Sequence, residues 1–137
     1  MKYLHSGYIL FCDRAEHAED GRVNALGLFD LAAGKILPIR MKCDAIIGFG
    51  TPYERRQYKG AFTIEDPSGK VVVEHEFNAN DPNDLFKGHY IYPIDLNITT
   101  EGSYTAKVVL QNWKNEIVWE ISRQWWAMVI GEGPPDP

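Results

Sequence analysis

The stretch Glu101-Gly102-Ser103-Tyr104-Thr105-Ala106-Lys107-Val108-Val109-Leu110 decides the fold of this 137-residue chain. A glycine turn opens onto an alternation that puts Tyr104, Ala106, Val108 and Leu110 on one face. Ser103, Thr105, Lys107 and Gln111 fill the other, and only Val109 departs from the pattern. Successive side chains of an extended strand point to opposite sides, so a period of two over this length predicts a half-buried β-strand. The turn Trp113-Lys114-Asn115 then predicts a returning strand, with Ile117, Trp119 and Ile121 on the core side.

Working outward, the other segments also read as strands. Tyr8 to Cys12 is a continuous apolar run, as in a strand covered on both faces. Val23 to Phe29 follows the turn Asp20-Gly21, and Gly27 inside it predicts a bulge or a close approach of another backbone. Met41 to Phe49 supplies a third strand. Tyr58–Glu65 and Val71–Phe77 flank the turn Asp66-Pro67-Ser68-Gly69, a hairpin. Tyr90 to Ile98 contains Pro93, which cannot donate a ladder hydrogen bond and so predicts an edge or bulged strand. Gln124 to Ile130 either extends the last strand or adds one. No segment keeps a helical period over three turns, although Asp30–Ile36 or Asn83–Lys87 has room for one short turn. The fold class predicted is all-β: an antiparallel two-sheet β-sandwich over residues 1–130, followed by a flexible Pro/Gly tail at 131–137.

Two resemblances follow. Gly102 with Tyr104 two residues later, at the mouth of a late strand, resembles the tyrosine corner of immunoglobulin-like sandwiches, although Ala106 stands where their second cysteine would be. Phe11-Cys12-Asp13, the run Asp20-Gly21-Arg22-Val23-Asn24-Ala25-Leu26-Gly27-Leu28-Phe29-Asp30, the Asp66–Gly69 hairpin and Glu101–Tyr104 together resemble a family of small uncharacterised bacterial β-sandwich domains. That likeness implies the sandwich and transfers no activity, because its motifs are turns and core positions.

Composition narrows the function. Apolar residues at 45% and aromatics at 12% support a globular core, and a chain this long buries roughly two-thirds of its unfolded surface without a metal or disulfide staple. Lys plus Arg is 14 against 19 Asp plus Glu, and the net charge of -5 argues against a phosphate-binding face and so against nucleic acid. No stretch is long enough for a membrane span, and the N-terminus is too polar for a secretory h-region, so the cytoplasm is expected. There Cys12 and Cys43, both in apolar runs, are expected to stay reduced.

Motifs for chemistry are missing. Asp13, Glu16, His17, Glu19 and Asp20 form the densest ionisable cluster, and Asn80, Asp81, Asn83 and Asp84 a second. Neither has metal-loop spacing, and each reads as a solvated turn. His5, His17, His75 and His89 form no ligand pair, and His75 is expected to point outward. No cofactor, no metal and no catalytic residue is expected. The candidate binding residues are tryptophans: Trp113 at a hairpin tip, and whichever of the neighbours Trp125 and Trp126 faces away from the core. The reading is a non-enzymatic interaction or structural domain acting through protein–protein contacts, its partner another protein or a second copy of the chain. The alternative is a carbohydrate-binding module that stacks glycans on the same tryptophans. Tyr90, Ile91, Tyr92, Ile94, Leu96 and Ile98 make the Pro93 strand the expected seam of a homodimer.

Overall fold

The computed structural model describes residues 7–18, 23–49, 59–78 and 89–130. Within them run nine strands: β1 (Gly7–His17), β2 (Val23–Phe29), β3 (Leu31–Gly34), β4 (Ile39–Phe49), β5 (Lys59–Glu65), β6 (Val71–Asn78), β7 (His89–Ile98), β8 (Gly102–Gln111) and β9 (Ile117–Val129). They form two facing sheets, ordered β2-β1-β4-β7 and β3-β9-β8-β5-β6. The all-β sandwich expected from the alternating patterns is therefore the fold.

Alternation supplies the core. Ile9, Phe11, Cys43, Ala45 and Ile47 point inward from the first sheet, joined by Ile94, Leu96 and Ile98 of β7. Phe62, Ile64, Tyr104, Ala106, Val108, Leu110 and Trp119 meet them from the second. Each large side chain so buried contributes on the order of 1.5–3 kcal/mol. The corner anticipated at Tyr104 is present: its hydroxyl donates to the Thr100 carbonyl oxygen at 2.7 Å. Gly102, with φ 131°, makes the bend in a region that side-chain-bearing residues avoid. The Tyr104 ring stacks on Trp125 at 4.5 Å, and Trp125 packs against Phe11 of the opposite sheet at 5.9 Å. An aromatic column thus joins the two sheets where β8 and β9 face β1.

Four details differ from the sequence reading. Asp30–Ile36 holds a strand, β3, which pairs with β9 in parallel, so the sandwich is not wholly antiparallel. Four residues, Leu-Ala-Ala-Gly, carry too little pattern to show in sequence, and a neighbouring strand supplies their pairing. Ile117 is exposed, because the ladder slips between Leu110 and Gln111 and breaks the alternation of β9 there. His75 faces inward: it sits opposite Phe62 and stacks on Tyr92 at 4.2 Å, binding the rim of β6 to β7. Finally, β7 is an edge strand, as Pro93 indicates, but its apolar residues are not a free seam. Tyr90 stacks on Phe77, and Ile94, Leu96 and Ile98 are core, leaving Ile91, Pro93, Asp95 and Asn97 on the outer side. The outward apolar side of β7 reduces to Ile91 beside Pro93, and a seam there loses its support.

Replacing Tyr104 by Phe keeps the stack and removes only the bond to Thr100. It is expected to lower stability by about 1 kcal/mol, read as an earlier urea midpoint at unchanged slope. A midpoint equal to the parent's would mean the corner contributes nothing.

Candidate functional site

Adjacent tryptophans in one strand must part company. Trp125 is fully buried, and Trp126 lies outside at 52% exposure. In the parallel ladder Leu31 pairs with Trp126, Ala32 with Ala127 and Ala33 with Met128. The alanines at 32 and 127 point inward, which places Leu31, Trp126 and Met128 together on the outer face. The Trp126 amide donates to the Asp30 carbonyl at 2.9 Å and the Ile130 amide to that of Gly34 at 2.8 Å. These bonds hold the end of β9 against β3.

Two residues before β3 begins, the chain belongs to the other sheet. β2 ends at Phe29, pairs with β1, and exposes Leu26 and Leu28 at 64% and 61%. Beyond β3, Ile36 and Leu37 are also exposed. Eight of the twelve exposed large apolar side chains among the described residues lie on this margin of β2, β3, the link to β4 and the end of β9. Such clustering, rather than any single exposed leucine, sets this margin apart from the rest of the described surface. A shallow cleft of about 350 Å³ opens between Leu28, Phe29, Leu31, Ala33, Ile39 and Met41, with Asp13, Arg40 and Lys42 at its rim. Arg40 is committed to Asp95 at 2.9 and 3.1 Å, and its guanidinium holds that carboxyl below the usual range. The Asp13 side chain occupies the space a Cβ on Gly27 would need, so what approaches that glycine is a side chain and not the neighbouring backbone expected from the sequence. There is no bulge, since the β1–β2 register runs unchanged past Gly27.

The candidate tryptophans do not come together. Trp113 is exposed in the turn after β8, where the Asn112 side-chain oxygen accepts from the amides of Lys114 and Glu116. Trp126 sits opposite Ser103, at the other end of β8. The length of β8 between them, Ser103 to Gln111, is roughly 26 Å. Trp125 is core, so the three cannot form one stacking platform for a short glycan. Margin residues Leu26, Leu28, Leu31 and Met128 escaped the sequence reading, although Leu26 and Leu28 flanking Gly27 were a visible sign of apolar residues on one side of a strand.

Of the first acidic cluster, Asp13, Glu16 and His17 lie in strand β1 rather than in the solvated turn expected, because the ladder with β2 runs on to His17. Glu19 and Asp20, the second cluster at 80–84 and His5 lie outside the described residues. Among the described residues no cluster of three His, Cys, Asp or Glu side chains could hold a metal. Cys12 and Cys43 are both free and buried. Cys43 belongs to the core between the sheets, while Cys12, opposite Asp44, alternates to the outer side of its sheet. Facing opposite ways, they cannot bond to each other within the chain. Burial and the nearby Asp44 carboxylate push the Cys43 thiol up to about 12 and raise that of Cys12. Neither is an activated nucleophile.

A family model described as a family of unknown function, DUF6941, matches residues 7–117. The chain belongs to that family. No curated protein matches it. Two of the solved structures similar to it illustrate the likeness. One is a CARDB domain from Pyrococcus furiosus in complex with di-metal ions, with 11% identity, 95% of this chain and 94% of that one covered, and a TM-score of 0.42. The other is the soluble domain of PmoD from a Methylocystis species, with 10% identity, coverage of 93% and 98%, and a TM-score of 0.47. The family match spans β1 to β8 and ends at Ile117, before most of β9.

Cys43 gives this member a pH signature. Its folded thiol titrates near 12 and an unfolded one near 9, so its contribution is fully present below pH 9 and is lost as pH rises towards 12. Compared with Cys43→Val, the parent should lose stability more steeply above pH 9 in urea titrations. Parallel profiles would place the thiol in water.

Proposed function

We propose that the domain works through protein–protein contacts and not through catalysis, with another copy of the chain as its partner. One observation carries this reading: among the described residues, eight of twelve exposed large apolar side chains gather on the margin of β2, β3, the link to β4 and the end of β9. Dispersed over the surface they would signify little, but gathered at the rim where both sheets end they offer area to be removed from water. The charge balance agrees, since a net -5 disfavours a polyanion and leaves a neutral apolar strip as the surface with least repulsion. The cleft among the described residues is shallow, and its apolar lining is interrupted by Asp13, Arg40 and Lys42. The cytoplasm suits a domain whose two thiols are buried, separate and reduced.

Light scattering over a micromolar concentration series tests the reading. The parent is expected to approach twice 15.6 kDa, and the double variant Leu28→Ser/Leu31→Ser, which alters two exposed residues of one cleft, to associate at least about tenfold more weakly. A mass of 15.6 kDa throughout would remove the self-partner.

A further inference from the structure

Among the described residues four strands end a sheet: β2 and β7 in one, β3 and β6 in the other. An open edge presents unused N–H and C=O groups, and proteins guard it with charge, proline, shortness or cover. Three of these edges are guarded. β7 carries Pro93 and Asp95, and its Tyr90 and Tyr92 lie against Phe77 and His75. β6 exposes Glu74 and Glu76. β3 is four residues long.

β2 has none of these protections. Its seven residues, Val-Asn-Ala-Leu-Gly-Leu-Phe, include no charge and no proline. The unbroken register past Gly27 means that no inserted residue turns the edge away. Among the described residues no strand lies on its outer side. Leu26 and Leu28, the most exposed large side chains of the margin after Ile36, stand on it.

Resting on the contact reading above, we propose that β2 pairs antiparallel with β2 of a second copy about a two-fold axis, joining two four-stranded sheets into one of eight. The choice of occupant follows from charge. In a symmetric antiparallel pair each strand meets its own sequence, so a strand carrying net charge repels itself and a neutral one does not. On a chain of net charge -5, the neutral strand is where two copies approach with least repulsion. Leu26 and Leu28 of both copies then share one face of the joined sheet, and the ladder satisfies backbone groups that otherwise face water.

Single cysteines locate the axis, because only a residue on or beside it comes within disulfide reach of its own copy. Asn24→Cys, Leu26→Cys and Leu28→Cys, made separately and oxidised with copper–phenanthroline, are expected to give a band of twice the chain mass from one or two positions. Lys114→Cys, in the turn after β8, serves as the control and should give none. Leu26→Lys sets like charges across the seam and is expected to weaken association at least tenfold by light scattering, with its β-type circular dichroism retained. Should that variant unfold, the cysteine series decides alone. A dimeric parent that cross-links at none of the three β2 positions overturns the strand assignment and leaves the contact reading standing. A parent that stays monomeric overturns both.

Discussion

The hydrogen bond from the Tyr104 hydroxyl to the Thr100 carbonyl is the constraint on which the rest of the sandwich depends. It sits where the chain leaves the first sheet and enters the second, and it fixes the start of β8. Tyr104 is also the cross-strand partner of Trp125, and their rings stack. Beside Trp125 lies Trp126, so a slip of β9 by one residue would still bury a tryptophan at this point. Hydrophobicity alone leaves the two registers close together locally. The tethered Tyr104 ring, with Phe11 on the far side of Trp125, selects one of them. From that choice follow Ala127 inside, Met128 outside and the pairing of both with β3.

The sandwich closes its two sides by different means. Between β6 and β7 the rims are joined by rings, with Phe77 on Tyr90, His75 on Tyr92 and Phe62 edge-on to Tyr92. These contacts draw on aromatic area and geometry together. On the opposite side one chain crosses from sheet to sheet at Asp30. Beside it the half-buried Arg123 of β9 reaches across to donate to the Ile9 carbonyl at 3.0 Å. A crossing strand joins the sheets without covering them, and the apolar residues of that rim stay in water.

Much of this was legible in sequence. The alternation from Tyr104 to Leu110 gave its face correctly, because a long half-buried strand leaves a period that no single residue can erase. Pro93 marked an edge for a reason internal to that residue. What escaped was relational. β3 is four residues without pattern, and only its parallel pairing with β9 makes it a strand. Ile117 matched the alternation of Trp119 and Ile121, and a slip in the partner ladder moved it outside. His75 looked like a polar residue facing water, yet a ring it could not foresee, Tyr92, is its neighbour. The margin itself combines residues of β2 and β9 that are about a hundred positions apart in sequence.

That combination bears on what the surface can do. Preorganised chemistry needs convergent polar groups in a concave, dry site. Here the polar groups near the cleft are already engaged or spread out: Arg40 binds Asp95, and Asp13 packs over Gly27. What remains is backbone and hydrocarbon at the place where both sheets end. Backbone edges recognise extended chains through direction and spacing, and hydrocarbon rewards any partner that excludes water. Selectivity at such a rim therefore comes chiefly from what it repels. The glutamates of β6 and the proline of β7 close two approaches, the brevity of β3 limits a third, and the neutral length of β2 is left.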